Sequence, residues 1–295
     1  MSKAKYDWDN LIDPQNFHKP EGARVPIQKV GIREYTSPIK FAKKDGSIFD
    51  AKATYSVYSD LSEEIKGLNM SRISRSIQDT TLQGVVDITT LCTTVDMLLE
   101  RLEVQNAYVK MKFDYPMIQT SLRSTNKETG EPNFGWMYYP TEIEIRKSKG
   151  HAPRAWISTE FQFSSLCPCS SMMSFDYIDK TSEKAVGHSQ RSMAKSTIEI
   201  DPKGDFHIED LVKLHRKAIS TEVLGSIVTR ADELSFAIRN AQEPKFVEDS
   251  VRMLFESLDP VPEILDFCIV ASHFESLHPS NVTAVICKGI PNGLR

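Results

Sequence analysis

The chain has 295 residues and a mass of 33.4 kDa, a length that allows one large domain or two of modest size. Hydrophobic residues make up 40% and charged residues 26% of the sequence, which excludes disordered and collagen-like proteins. The net charge of −4 and the pI of about 6.0 argue against a surface built to coat nucleic acid or anionic membrane.

The N-terminal segment is polar, and residues 1–25 predict an extended arm. The segment lacks the apolar stretch of a signal peptide, and no apolar run elsewhere approaches the roughly 20 residues that cross a bilayer. The five cysteines show no disulfide-framework spacing. We therefore expect a cytoplasmic protein with reduced thiols and with neither nucleic acid nor membrane as a partner.

The residues after the arm predict two strands, a helix and two more strands. β-Branched and aromatic residues mark strands at Val30 to Tyr35 and at Ala51 to Tyr58, which a Lys-Asp-Gly turn joins as a hairpin. Apolar residues recur at helical spacing between Gly84 and Leu102. Strand-like runs follow at Asn106 to Tyr115 and at Phe134 to Arg146. The first half thus has the order β-β-α-β-β.

The second half repeats this order with two helical stretches between its strands. One stretch carries Ile208 and Leu211 on its apolar face, and the other begins at Pro244. The strand-like runs cover Arg154 to Phe163, Ser189 to Ile200, Ile264 to Phe274 and Asn281 to Gly289. A unit used twice predicts an α+β fold of two antiparallel sheets, with a first module at 26–150 and a second at 151–295 that carries most candidate site residues.

The densest chemical signal is the segment Cys167-Pro168-Cys169, which Gly187-His188 follows along the chain. A thiolate and an imidazole are the softer protein ligands of Zn²⁺, and a carboxylate would complete a site with one position open for water. The alternative interpretation is that these cysteines are small buried hydrophobic residues of a loop.

A second signal is the pair Glu275 and His278, directly after an apolar strand. Such a pair at a strand end can converge on one point, which suits metal ligation or general acid–base chemistry. Pro279 equally favours a solvated turn that leaves the sheet.

Glu233 and Glu248 stand out because a carboxylate can accept two hydrogen bonds from adjacent N–H groups of a guanine or pterin. Acidic residues in the first turn of a helix are also expected from the helix dipole, and Asp249 is the better candidate for that structural role. The sequence contains no dinucleotide, P-loop or zincin motif, so side chains would have to hold any triphosphate.

Several segments in this order resemble the type IB GTP cyclohydrolases, and the match runs over most of the chain. They are Leu166 to Ser170, Gly187 to Ser192, Lys245 to Asp249, Phe274 to His278 and, in the first half, Met70 to Arg72. The resemblance implies a bimodular tunnelling fold, with two β-β-α-α-β-β-type units whose helices lie on one face. It also implies conversion of GTP to 7,8-dihydroneopterin triphosphate and formate, the first step toward tetrahydrofolate.

The same resemblance implies a divalent metal, Zn²⁺ or Mn²⁺, held by Cys167 and His188. Glu233, Glu275 and His278 are then further ligands or proton carriers. Among these, the resemblance makes Cys167, Glu275 and His278 the catalytic residues.

For the substrate, the resemblance implies that Glu248 anchors the guanine and that Arg72 and Arg191 meet the triphosphate. Tunnelling-fold proteins assemble through their sheet edges, so a homotetramer with sites at subunit interfaces is implied.

The chain departs from the family pattern at three places. Asn69 and Ser280 stand where the family usually has histidines. The spacing between Cys167 and His188 is longer than usual, which predicts a loop insertion through Asp176 to Lys180. Closing a longer loop costs little, so we still expect both residues at one site.

Two other functions fit part of the pattern. A tunnelling-fold nitrile reductase would use a cysteine as nucleophile toward a deazaguanine, but the Glu275-Ser276 segment lacks the lysine of that group. The other is a metal- or purine-binding module without turnover, in which the replaced histidines reflect lost activity.

Overall fold

The computed structural model describes residues 15, 19–82, 84–225, 228–291, 293 and 294, which form eight strands and six helices. The strands are β1 Ile27–Ala42, β2 Ile48–Leu61, β3 Asn106–Thr125, β4 Pro132–Ser148, β5 Arg154–Leu166, β6 Ser189–Ile200, β7 Ile264–His273 and β8 Val282–Cys287. The helices are α1 Met70–Thr81, α2 Ile88–Leu102, α3 Pro168–Thr181, α4 Ile208–Ala218, α5 Arg230–Gln242 and α6 Val247–Leu258. Within the described residues the eight strands follow one another in chain order in a single sheet, so the prediction of two separate sheets is wrong.

The chain divides into two compact units. The first comprises residues 1–42, 48–111 and 144–154, and the second comprises 43–47, 112–143 and 155–295. The strands β3 and β4 contribute residues to each unit. The modules proposed at 26–150 and 151–295 stay a prediction, and most of the predicted arm, at 1–14 and 16–18, lies outside the described residues.

In the first unit, β1 and β2 form the predicted antiparallel hairpin, with Ala42 opposite Ile48 at its closed end. The helix α2 buries an apolar face against this unit's core and ends where Glu103 adopts a left-handed backbone conformation, with φ of 56°. The preceding helix α1 was not predicted, because Ile73 and Ile77 are its only buried apolar residues and the remaining sequence is polar.

In the second unit, β5, β6, β7 and β8 form an antiparallel ladder. The β5–β6 pairing runs from Ala155 opposite Ile200 to Leu166 opposite Ser189. Buried apolar side chains of α4 and α6 pack in this unit's core, which includes the edge-to-face pair of Phe255 and Phe267. The register brings the C-terminal end of β5 beside the N-terminal end of β6, which is where the densest sequence motif begins and ends.

The segment Asp176 to Lys180, predicted to be an inserted loop, is not a loop, because these residues belong to the helix α3. Its apolar side chains Met172, Met173 and Phe175 are each at least 60% exposed, so they follow no buried periodicity that the sequence could reveal. The signal that was missed is Pro168 at the first helical position.

The helix α5 was also not predicted. Its sequence mixes polar and apolar residues around the helix, and its buried residues are Asp232, Ser235 and Asn240. The local signal for its start is the Thr229 and Asp232 pair, in which the Asp232 carboxylate accepts hydrogen bonds from the Thr229 backbone N–H at 2.9 Å and hydroxyl at 2.8 Å.

No helix in the described part of the chain is both long and apolar enough to cross a membrane.

Candidate active site

Cys167 and His188 occupy facing positions at one end of the β5–β6 ladder. The last ladder pair is Leu166 opposite Ser189, so the next residues outward are Cys167 and His188. The Cys167 backbone N–H donates to the His188 carbonyl oxygen at 3.1 Å. The ladder therefore holds a thiol and an imidazole side by side, whatever the length of the segment that connects them.

The start of α3 strengthens this pairing. Cys167 is the N-cap residue of α3, and the Ser170 hydroxyl in the first turn accepts a hydrogen bond from the His188 backbone N–H at 3.0 Å. A Cβ atom on Gly187 would lie 3.0 Å from the backbone of Ser171, so glycine lets the chain pass the helix without displacing it. The helix and His188 are thus fixed to each other by close backbone approach.

The connection between β7 and β8 brings Glu275 and His278 to the same end of the ladder. The Phe274 backbone N–H donates to the Arg191 carbonyl oxygen at 2.9 Å, which continues the β6–β7 pairing outward. In this connection the Ser276 hydroxyl lies 3.3 Å from His188 Nδ1. With Nδ1 engaged in this way, Nε2 is the ring nitrogen left to bind an ion or a proton.

Glu248 and Asp249 both lie in the first turn of α6, and they differ in what they contact. The Asp249 carboxylate accepts a hydrogen bond from the Phe246 backbone N–H at 3.0 Å, which caps the helix. Glu248 lines a cavity instead. The capping role proposed for Asp249 therefore leaves Glu248 as the carboxylate of this turn that can meet a ligand.

One cavity of about 320 Å³ gathers these side chains. Residues of its wall that carry chemistry are Cys167, His188, Gln190, Lys245, Glu248, His273, Glu275 and His278. We call it the thiol cavity. It holds a soft donor, imidazoles, carboxylates and an amine, which is a donor set for metal binding and for general acid–base chemistry.

A second cavity of about 420 Å³ lies in the same unit and shares Gln190 with the thiol cavity. Arg191 and Glu233 line it, together with the aromatic rings of Phe163 and Phe236. Glu233 is positioned by the preceding residue, because the Asp232 carboxylate accepts from the backbone N–H groups of Arg123 and Ser124 at 2.7 and 3.0 Å. We call this space the arginine cavity.

Comparison with known proteins decides the family. A family model described as type I GTP cyclohydrolase folE2 matches residues 11–284. The GTP cyclohydrolase FolE2 of Cereibacter sphaeroides (strain ATCC 17025 / ATH 2.4.3) is 35% identical over 268 residues, which are 91% of this chain and 72% of that protein. The FolE2 of Paracoccus denitrificans (strain Pd 1222) is 35% identical over 273 residues, 91% of this chain and 80% of that protein.

The chain belongs to the FolE2 family of type I GTP cyclohydrolases. The family resemblance drawn from the motifs is confirmed at this level. A solved structure, uricase from Arthrobacter globiformis, is similar with a TM-score of 0.52 and 7% identity over 88% of this chain and 93% of that chain. At such low identity this similarity concerns the fold alone.

Of the five residues that the motif resemblance predicts as metal ligands, four line the thiol cavity and one lines the arginine cavity. The four are Cys167, His188, Glu275 and His278, and the fifth is Glu233. Within the described ranges, no three His, Cys, Asp or Glu side chains stand close enough together to hold an ion as they are placed. The chemistry of the donors fits a borderline-soft divalent ion.

The residues assigned to substrate are divided as well. Glu248 lines the thiol cavity and Arg191 the arginine cavity. Arg72 belongs to the first unit, where its guanidinium group donates to the Arg101 carbonyl oxygen at 2.8 Å.

Sequence reasoning missed Gln190, Lys245 and His273 in the thiol cavity. Gln190 lies in a buried ladder position, where its Nε2 donates to the Ser165 hydroxyl at 3.0 Å and its Oε1 has no described partner. The feature of the sequence that could have indicated Gln190 is a long polar side chain at an inward position of β6. Lys245 had a signal too, as a lysine between a proline and an apolar helix start.

His273 was missed because it ends an apolar strand. Its ring lies between the hydroxyls of Ser165, 3.2 Å from Nδ1, and Ser250, 3.2 Å from Nε2. Burial, with a smaller contribution from the Lys245 charge, lowers the pKa of His273 to about 4. It is therefore a neutral imidazole at physiological pH, and it fixes the wall of the thiol cavity through two hydroxyls.

Proposed function

We propose that the thiol cavity is the active site for GTP cyclohydrolase activity, the activity that membership of the FolE2 family assigns to the chain. The observation that carries the proposal is the placement of Cys167 beside His188, with Glu275 and His278 on the same wall. The reaction is hydrolysis of GTP to 7,8-dihydroneopterin triphosphate and formate in tetrahydrofolate biosynthesis. We assign the chain to the type IB class on the motifs around these residues.

A divalent ion, Zn²⁺ or Mn²⁺, fits the donors of the site. Cys167 and His188 would hold it first, because the β5–β6 ladder already sets their backbones side by side. Glu275 or His278 would supply a further ligand from the β7–β8 connection, and Glu233 would do so from α5. Such an ion supplies a hydroxide at neutral pH by acidifying a water molecule.

The guanine is held by Glu248 in this proposal. Its carboxylate offers two acceptor oxygens, and the guanine edge offers two neighbouring donors, the N1–H and the exocyclic amino group. The capping of α6 by Asp249 fixes the turn that presents Glu248. Binding through two parallel hydrogen bonds orients the imidazole ring of the base as well as holding it.

Arg191 is the candidate for the triphosphate. Arg191 directly follows Gln190, and Gln190 lines both cavities. The phosphate chain can therefore extend from the thiol cavity into the arginine cavity. A guanidinium group matches the spacing of phosphate oxygens and keeps its charge at all physiological pH values. A role for Arg72 stays a prediction from the resemblance.

Glu275 and His278 are the candidates for proton transfer. Ring opening requires a proton at the departing nitrogen, and release of formate requires further transfers. Both side chains stand on the β7–β8 connection, where they are half-buried or exposed, so water can exchange their protons between steps.

The test is an assay of the reduced protein with GTP and added Mn²⁺ or Zn²⁺. We expect formate in equal amount to a pterin that becomes fluorescent after oxidation, and we expect a chelator to abolish both. If the protein binds metal but releases no formate, the result would contradict the proposal and favour the metal- or purine-binding module. Consumption of NADPH with a deazaguanine nitrile would favour the nitrile reductase.

The oligomeric state and location are part of the proposal as well. We propose a homotetramer with sites at subunit interfaces and a cytoplasmic location, both from the resemblance and the cysteine usage. Light scattering of the purified protein tests the first, and fractionation of the producing cells tests the second.

A further inference from the structure

Lys245 is a buried lysine whose amine has little to bind. Only 3% of the residue is exposed, and its backbone N–H is tied to the Leu166 carbonyl oxygen at 3.2 Å. Within the described residues its Nζ makes one hydrogen bond, to the Thr221 hydroxyl, and this is long at 3.4 Å. An amine carries two or three donors, so most of its hydrogen-bonding capacity is unused in the interior.

The Glu243 carboxylate forms an ion pair with this amine but does not accept a hydrogen bond from it. Glu243 Oε2 lies 3.9 Å from Lys245 Nζ, beyond hydrogen-bond range, and Glu243 Oε1 accepts from the Ser220 hydroxyl at 2.7 Å. Thr221 in turn donates its own hydrogen to the Ser164 carbonyl oxygen at 2.6 Å. Burial of a poorly paired amine is costly, which indicates that an acceptor from outside the chain completes its bonding.

The place where that acceptor would arrive is the thiol cavity, because Lys245 and Glu248 both line it. They lie on either side of the start of α6, and the Phe246 N-cap between them is fixed by Asp249. Lys245 therefore shares a cavity wall with the carboxylate proposed to bind guanine. The start of α6 thus gives the cavity wall the carboxylate oxygens of Glu248 as acceptors and Lys245 as a donor.

The edge of guanine has the complementary order. After the amino group and N1–H, which suit Glu248, comes O6, which is an acceptor. Adenine has an amino donor in place of O6 and no hydrogen on N1. Its amino group would therefore face the donor of Lys245, and its N1 would offer no hydrogen to Glu248. We propose that Lys245 donates a hydrogen bond to O6 of the substrate guanine and is a specificity-determining residue. This inference rests on the proposed function, because it needs the base to bind at Glu248.

The test compares GTP with its 6-thio analogue, in which a weaker sulfur acceptor replaces O6 and the N1–H and amino group remain. The variants are Lys245→Met, which keeps the length of the side chain without a donor, and Lys245→Gln, which keeps a neutral N–H donor. The matched control is Lys213→Met, because Lys213 is exposed on α4. The measurement is kcat/KM for both nucleotides with the metal-loaded enzyme, together with thermal unfolding of each variant.

We expect Lys245→Met to lower kcat/KM for GTP by about ten- to a hundredfold and to lower it much less for the 6-thio analogue. The preference of the native enzyme for GTP should thus shrink in Lys245→Met and recover in part in Lys245→Gln. Lys213→Met should leave it unchanged. Equal losses for both nucleotides would overturn the inference.

Inhibition by inorganic triphosphate distinguishes a contact of Lys245 with the base from a contact with the phosphates. We expect the same inhibition constant in the native enzyme and in Lys245→Met, and a weaker inhibition in the variant would place Lys245 on the phosphates instead. The proposed function fails separately. It fails if the native enzyme releases no formate, or if Glu248→Gln leaves KM for GTP unchanged, whereas loss of the Lys245 inference alone leaves both of those results intact.

Discussion

The backbone N–H of Cys167 donates to the carbonyl oxygen of His188 at 3.1 Å, one step beyond the last pair of the β5–β6 ladder. Two side chains that are distant in sequence are therefore placed by the register of two strands and by the N-terminus of α3. This placement does not depend on a metal, because hydrogen bonds of the backbone and the Ser170 hydroxyl provide it. The site is thus organised in part before any ion binds.

Replacement of Cys167 tests the centre of this arrangement. We expect Cys167→Ala to abolish metal retention and formate release, because the thiolate is the softest donor of the site. Metal content and turnover of the purified variant are the measurements. Cys169→Ala is the matched control, since Cys169 is an exposed thiol on α3 and does not line the thiol cavity, and it should keep both properties. A Cys167→Ala enzyme that is active and metal-loaded would refute the assignment.

The contact between Ser276 and His188 supports a milder prediction. Removal of the hydroxyl in Ser276→Ala frees His188 Nδ1, so the ring is no longer oriented by its second nitrogen. We expect metal affinity and kcat/KM to fall by about tenfold, with little change in thermal stability because Ser276 is exposed. Ser280→Ala, in the same connection and also exposed, should behave as the native protein. Equal effects of the two substitutions would show that the contact does not orient the ring.

Much of this arrangement could be predicted from the sequence, and the reasons for success and failure differ by residue. The motifs around Cys167 and His188 identified the family, and the strand-like runs at Arg154 to Phe163 and Ser189 to Ile200 predicted the strands that bring the two together. The helix α3 could not be predicted from periodicity, because its apolar side chains face outward. The sequence shows Lys245 at the start of an apolar helix, but only the three-dimensional structure shows that this residue is buried.

Gly187 offers a test of the close approach between α3 and the chain before His188. A Cβ atom there would lie 3.0 Å from the backbone N and Cα of Ser171 and 3.3 Å from Leu166 Cδ1. We expect Gly187→Ala to lower the free energy of unfolding by about 1–3 kcal/mol and to reduce turnover, because His188 must shift with its neighbour. Urea unfolding and formate release measure the two effects. Gly84→Ala has open space around its new methyl group and should change neither, and similar losses in both variants would contradict the steric explanation.

His215 predicts how stability depends on pH, and it lies away from the proposed metal ligands in the core of the second unit. Its ring contacts the Ser196 hydroxyl at 2.8 Å and the ring of Phe161, and complete burial lowers its pKa to about 3. An unfolded chain has a histidine pKa of about 6.5, so between pH 6.5 and 3 the unfolded state binds the additional proton. Stability contributed by this group is therefore present above pH 6.5 and is lost as the pH falls.

At pH 5 the loss amounts to about 2 kcal/mol relative to pH 7.5, from the difference between the two pKa values. The measurement is the free energy of unfolding in urea at both pH values. In His215→Gln, whose amide can still bond to Ser196, the drop should be smaller than in the native protein by about this amount. A drop of the same size in both proteins would mean that His215 is protonated in the folded state, in conflict with its burial among apolar side chains.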